Sequence, residues 1–261
     1  MCGRYAITST PEAIRQLLGY LEQPNFPPRY NVAPTQPIPI VRLEQGARRF
    51  ALVRWGLIPA WVEDPRTFSL VINARGDNVL SKPAFRNAMR YRRCLIPADG
   101  FYEWQEIGGG PRRPFYVHAK DGAPFAFAGL WEVWSGPNGE EMETAAIVTT
   151  DANRALRPIH PRMPVILAPE AYDLWLDCRN VDAETAAALI APPPEDLLEA
   201  YPVSMAVNRH ANDDASLIAP VTEEQAKAEG DRGASGIARA KTRQAGEAQQ
   251  GRPAAVPVLN C

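Results

Sequence analysis

The sequence predicts a mixed α+β domain, and three observations carry that expectation. Apolar, β-favouring runs recur at residues 38–43, 50–55, 93–97, 114–119, 125–131 and 144–150. Turn residues such as Gly108-Gly109-Gly110 and Asp121-Gly122 fall between them. Helical signals are few and scattered, and they do not alternate with the strands as a βαβ series would require. A chain of 261 residues with 46% hydrophobic and 22% charged residues suits one domain with an ample core, or two small ones.

Taken in order, Ser9-Thr10-Pro11-Glu12 reads as a helix start. A hydroxyl there caps the first free N–H groups, Pro11 suits the first turn, and Gly19 is a stop. Residues 23–39 are dense in proline and read as an ordered, extended loop. Ser81-Lys82-Pro83-Ala84 opens a helix to about Arg90, residues 169–176 and 183–190 read as two more, and 202–207 as a late strand. From residue 223 the chain is rich in Ala, Gly, Gln and Arg and has no aromatic residue. Such a segment buries too little apolar surface to order itself, so the expected organisation is a domain over 2–222 and a disordered tail over 223–261. The final Cys261 is not fourth from the end, which excludes a prenylation box.

Charge and cysteine usage narrow the function. Lys and Arg number 28 against 30 Asp and Glu, a formal net charge of -2, so any nucleic-acid site must be a local patch. Cys2, Cys94, Cys178 and Cys261 are far apart and, with three scattered histidines, give no zinc signature. No metal site is expected. No secretory h-region and no long apolar run occurs, which excludes a membrane span and implies a reducing, cytoplasmic setting, beside the nucleoid in a bacterium.

Chemistry concentrates in a few short segments. Cys2 follows the initiator Met, and a small residue there permits Met removal. That would leave an α-amine beside the thiol, both partly available at neutral pH. A 1,2-aminothiol condenses with an aldehyde to an imine, and the thiol then closes a five-membered thiazolidine. Cys2 also reads simply as a small residue after Met. In Pro97-Ala98-Asp99-Gly100-Phe101-Tyr102-Glu103-Trp104, Glu103 sits between two aromatics, where desolvation raises a carboxyl toward the range useful for proton transfer. Its structural alternative is a paired rim carboxylate. In Ile159-His160-Pro161-Arg162-Met163-Pro164-Val165, His160 lies on a loop where a poised imidazole is common, or where it is only hydrogen-bonded. Asn73, in Ile72-Asn73-Ala74-Arg75, reads equally as a turn cap.

Together, Met-Cys-Gly-Arg-Tyr, Asn-Val-Ala-Pro-Thr at 31–35, Ile-Asn-Ala-Arg, Asp-Gly-Phe-Tyr-Glu-Trp and His-Pro-Arg-Met-Pro resemble the SOS-response-associated peptidase (SRAP) family, the abasic-site processing proteins. The segments stand in that family's order and cover about 2–210. The resemblance implies a single domain around a twisted, barrel-like, mostly antiparallel sheet with peripheral helices. It implies a groove for single-stranded DNA ending at Cys2, and a thiazolidine cross-link that shields an abasic site during replication and repair. Asn73 would hold the amine and thiol in register. Glu103 would act as general acid–base in opening the cyclic sugar and forming the imine, and His160 would move protons in imine formation, ring closure and reversal. Arg4, Arg75 and Arg162 would grip phosphates, with Thr149 a neutral donor, and Pro34 and Trp61 would be apolar wedges or stacking faces. Val62 stands where some relatives carry a second aromatic. No cofactor is needed, weak lyase activity follows from the imine, and the expected state is a monomer, with replication-fork proteins as possible partners. Two other classes stay open: a thiol peptidase or hydrolase using Cys2, His160 and Glu103, and a non-covalent single-strand binding scaffold.

Overall fold

The computed structural model describes residues 2–108 and 112–222, together with 224, 225 and 228. Gly109, Gly110 and most of the 223–261 tail lie outside the described residues. The chain runs β1 (Tyr5–Ile7), α1 (Pro11–Leu18), β2 (Arg29–Val32), β3 (Pro37–Glu44), β4 (Ala47–Trp55), β5 (Asn73–Arg75), α2 (Arg86–Tyr91), β6 (Arg93–Ala98) and β7 (Gly100–Gln105). It continues through β8 (Arg113–Ala119), β9 (Phe125–Ser135), β10 (Glu141–Asp151), β11 (Arg162–Pro164), β12 (Ile166–Leu167), α3 (Tyr172–Leu176), α4 (Ala183–Ala187) and β13 (Leu198–Pro202).

The α+β expectation holds, and the sheet is a closed barrel. β4, β3, β6, β9 and β10 pair in that order, and β10 returns to β4. Closure removes the exposed edges that an open sheet would present. All these pairings are antiparallel except β10 with β4. β5 adds to β10 in parallel and β11 adds to it antiparallel. A second sheet, ordered β13-β8-β7-β1-β2, packs beside the barrel. Tyr5 of β1 makes the junction: its ring meets Trp55 edge-on at 5.4 Å and Phe127 at 6.0 Å, and it is fully buried. An aromatic anchor of this size fixes the first residues of the chain against the core.

Local signals explain α1 fully. Thr10 accepts from Ala13 N–H at 3.2 Å, Pro11 begins the helix, and Gly19 ends it with φ +66°, a left-handed conformation natural to glycine. Elsewhere the chain departs from the sequence reading. The proline-rich 23–39 segment contains β2 and the first residues of β3, because Pro37 and Pro39 sit where their missing N–H groups break no necessary pairing. Only Arg86–Tyr91 of the expected 81–90 helix is helical, and turns precede it. The 183–190 helix ends at Ala187. The late strand is Leu198–Pro202, and Met205–Asn208 is a 3-10 turn, so the strand expected at 202–207 is displaced toward the N-terminus by its pairing with β8.

Arg93 begins β6 almost wholly buried. It donates to four backbone carbonyls, those of Trp175 at 2.6 Å, Met89 at 2.8 Å, and Asp177 and Val181 at 2.9 Å each. A guanidinium has the donors to satisfy all four, and it ties α2, β6 and the end of α3 into one unit.

Candidate active site at the amino terminus

The path of β1 decides where Cys2 lies. β1 pairs antiparallel with β7 in the register Tyr5 to Phe101 and Ala6 to Gly100, and Tyr102 N–H donates to Arg4 C=O at 3.0 Å. Continuing that register brings the residues ahead of β1 alongside Glu103. Gly100 leaves room for the Tyr116 side chain of β8, whose ring and hydroxyl a Cβ there would strike. Asp99 holds the other end of β1, accepting from Thr8 N–H at 2.6 Å and Ser9 N–H at 2.9 Å.

Cys2 is fully buried, and its thiol donates to Arg4 C=O at 3.6 Å. Asn73, at the start of β5, donates through Nδ2 to Cys2 C=O at 2.9 Å. Burial and the nearby Glu103 carboxylate push the Cys2 thiol well above its ordinary value, so it is held as a thiol. Glu103 is 4% exposed and borders a closed interior gap, too narrow for a water molecule, with Phe101, Val117, Leu156, Met163 and His160. Desolvation in these apolar surroundings pushes its carboxyl up to about 7, against the pull of the amino-terminal charge and of Trp104 N–H. His160 borders the same gap. Its Nδ1 lies 3.0 Å from Arg162 N–H and 2.9 Å from Arg162 C=O, so the backbone fixes the ring in either tautomer. Burial lowers the imidazole below its ordinary value, and the backbone contact to Arg162 offsets this in part.

The structure therefore gathers Cys2, Asn73, Glu103 and His160 into one neighbourhood, from β1, β5, β7 and the loop before β11. The residues expected to meet DNA are placed differently. Arg75 is exposed and pairs with Asp77 at 2.7 Å. Arg162 is mostly covered, bonded to Asp151 at 3.1 Å and to Thr149 C=O at 2.7 Å. Thr149 is fully buried, and its hydroxyl accepts from Arg162 at 3.3 Å, so it backs that arginine and does not line the surface. Arg4 donates inward, to Asn31 Oδ1 at 2.9 Å and Val207 C=O at 2.8 Å. Trp61 is 59% exposed and meets Phe68 edge-on, whereas Val62 beside it is buried. Pro34 is half-buried, and Thr35 after it has φ +73°, a left-handed backbone that a β-branched residue rarely adopts. Thr35 N–H donates to Trp55 C=O at 2.8 Å and holds that turn against the barrel.

Sequence reasoning gave no role to Asn31 or Asp213. Asn31 is fully buried and donates to the carbonyls of Val207, Arg209 and Asn212 at 2.8–3.2 Å while accepting from Arg4. Asp213 accepts from Tyr30 N–H at 2.5 Å and Asn31 N–H at 3.0 Å. The pair pins the 205–213 segment under Arg4, a long-range contact that no local pattern announces. Asn31→Ala removes a buried side chain with several partners and leaves the Arg4 guanidinium under-satisfied. We expect a loss of about 2–3 kcal/mol in urea unfolding, with proteolytic cleavage appearing within 205–213. An unchanged midpoint would show that this network holds nothing.

Among the described residues no group of His, Cys, Asp and Glu could hold a metal ion. None of their helices is long and apolar enough to cross a membrane.

Residues 1–210 match the family model for SOS response associated peptidase. The chain is 38% identical over 221 residues to the abasic site processing protein YoaM of Bacillus subtilis, covering 84% of this chain and 97% of that protein. It is 30% identical to the abasic site processing protein HMCES of Gallus gallus, covering 85% of this chain and 78% of that one. A crystal structure of a protein from Bacteroides thetaiotaomicron superposes with a TM-score of 0.77 at 26% identity, covering 85% of this chain and all of that one. The chain therefore belongs to the SOS response associated peptidase family, and the relatives it matches bear the name abasic site processing protein.

Proposed function

We propose that this protein captures the aldehyde of an abasic site in single-stranded DNA as a thiazolidine on Cys2, keeping the strand intact during replication and repair. The observation that supports it most is the placement of Glu103, with its carboxyl near 7, beside Cys2 and His160. The reading requires removal of Met1, because the ring uses the α-amine of Cys2 itself.

The abasic sugar rests mostly as a closed hemiacetal. Glu103 in its protonated form donates to the ring oxygen as the C1′–O4′ bond breaks, the C1′ hydroxyl gives its proton to His160 or solvent, and the aldehyde is exposed. The amine of Cys2 then adds to C1′, the resulting carbinolamine loses water, and an imine remains. The thiol adds to the imine carbon, its proton passing by way of Glu103 or His160 to the imine nitrogen, and the five-membered ring closes as a neutral secondary amine. Asn73 holds Cys2 C=O so that amine and thiol reach the same carbon. His160, with Nδ1 held by the backbone, moves protons through Nε2. An imine also permits β-elimination, so weak lyase activity competes with ring closure. No cofactor takes part. The raised thiol weighs against a peptidase that relies on a standing thiolate.

The test incubates the protein with single-stranded DNA carrying one abasic site. Wild type is expected to give a heat-stable, gel-shifted adduct. DNA whose abasic site has been reduced to the alcohol, and a variant with extra residues ahead of Cys2, are expected to give none. Normal cross-linking by the extended variant would remove the amine from the chemistry and defeat the proposal. Peptide-bond cleavage in a casein assay, lost in Cys2→Ala, would favour the hydrolase.

A further inference from the structure

A cavity of about 620 Å³ lies at the far end of β6 from the Cys2 neighbourhood. It is bordered by the β3–β4 hairpin at Gln45, the end of α2 at Tyr91, the start of β6 at Arg93 and the turn after α3 at Cys178 and Arg179. From Arg93, β6 runs about 17 Å to Ala98 before β7 begins and carries Glu103 into the amino-terminal site. A second cavity of about 340 Å³ adjoins the first at Tyr91, Cys178 and Arg179, and extends to Arg90 and Glu184. Each lies within the range of small-ligand pockets, about 300–1,000 Å³.

Most of the charge in these walls is already engaged. Arg42 lies over the Trp131 ring at 4.1 Å and pairs with Glu44 and Glu143, and Arg93 is spent on its four carbonyls. Asp177 accepts from the N–H groups of Arg179 at 3.1 Å and Asn180 at 3.0 Å, and Asp182 caps α4 through Thr185 N–H at 2.7 Å. The remainder is small. Arg90, Arg179 and Glu184 are exposed, and among the described residues their side chains have no hydrogen-bond or ion-pair partner. Tyr91 is 64% exposed, and its ring stacks on no other aromatic there. Two unpaired guanidiniums beside an unstacked ring match a flat ligand that carries an anionic group. A guanidinium fork suits phosphate oxygens, and an aromatic ring accepts the face of any base.

We propose that the adjoining cavities bind a free nucleoside monophosphate, with its base against Tyr91 in the larger space and its phosphate between Arg90 and Arg179 in the smaller. Glu184, on the wall of the smaller space, opposes further phosphates and favours the monophosphate over the triphosphate. The site is separate from the aldehyde chemistry at Cys2 and does not depend on it. Its own thiol serves as a reporter. Cys2 and Cys94 are fully buried, whereas Cys178 is half-buried and lines both cavities.

The experiment titrates the full chain, carrying Cys261→Ser, with AMP. Calorimetry follows binding, and peptide mass follows maleimide labelling of Cys178. AMP is expected to bind and to protect Cys178, with adenosine and inorganic phosphate each weaker by about tenfold or more. Arg90→Gln with Arg179→Gln should weaken AMP by about tenfold or more, and Tyr91→Leu by about tenfold, while Tyr91→Phe keeps the affinity. AMP should bind more tightly than ATP, and Glu184→Gln should narrow that gap. All four side chains are exposed, so these substitutions leave the core intact. Absence of both heat and protection would overturn the proposal, as would unchanged AMP affinity in the double arginine variant. Inorganic phosphate binding as tightly as AMP would reduce the site to a simple anion site and overturn the nucleotide assignment. Displacement of AMP by single-stranded DNA without an abasic site would give the cavities to a strand and overturn the free ligand.

Discussion

Cys2→Ala is expected to eliminate the heat-stable adduct completely while leaving an imine that borohydride can trap. The substitution removes the thiol and keeps a small residue at position 2, so Met removal and the free α-amine are retained. Aldehyde capture by the amine then proceeds to the imine and stops there. With ring closure gone, the imine partitions between hydrolysis and β-elimination, so strand cleavage is expected to rise above the wild-type level. Denaturing gels with and without borohydride separate these species. A heat-stable adduct persisting in Cys2→Ala would place the covalent bond on another residue. A loss of both the adduct and the trappable imine would mean that the thiol, not the amine, makes the first bond.

Glu103→Gln is expected to move two measurements in opposite directions. The amide cannot transfer a proton, and general acid–base help of this kind is worth about 10²–10⁴-fold, so adduct formation should slow by that order. The wild-type rate should change slope near pH 7, where the buried carboxyl titrates, and the variant should lose that inflection. Stability should respond with the other sign. A folded-state value raised from 4.5 to about 7 means that the native protein favours the neutral acid. Stability therefore declines as pH rises from the ordinary carboxylate value through 7, by about 3 kcal/mol once the group is fully ionised. The variant escapes that loss. Its urea midpoint should exceed that of wild type at pH 8 and match it near pH 4. Equal rates would remove Glu103 from the chemistry, and equal midpoints at both pH values would remove the burial argument.

Much of this was legible in the sequence, and the reasons are local. Thr10, Pro11 and Gly19 mark α1 because capping is a matter of neighbouring residues. Long alternating or apolar runs mark β3, β4, β6, β8, β9 and β10, the barrel strands among them. The short strands β2, β5 and β7 were not legible as strands. Each is set by partners distant in the chain, as Asn73 is by Ile147 on β10 and Phe101 by Tyr5. Glu103 could be expected in apolar surroundings from Tyr102 and Trp104. The inward engagement of Arg4 could not, since Asn31 and Val207 reach it only through the fold. Arg93 reads as an ordinary strand residue, and only the meeting of α2 with α3 makes it a buried hub.

The site is drawn from residues 2, 73, 103 and 160, joined by strand pairings of long sequence separation. Synthesis makes Cys2 at the start and His160 only after more than half the chain, and pairings this non-local form slowly. On the reading proposed here, the aminothiol of a nascent or unfolded chain would have neither an alignment partner nor a proton donor. An exposed aminothiol meets small-molecule aldehydes freely, so barrel closure, which buries Cys2 completely, would withdraw it from them and reserve it for an aldehyde that the folded site admits.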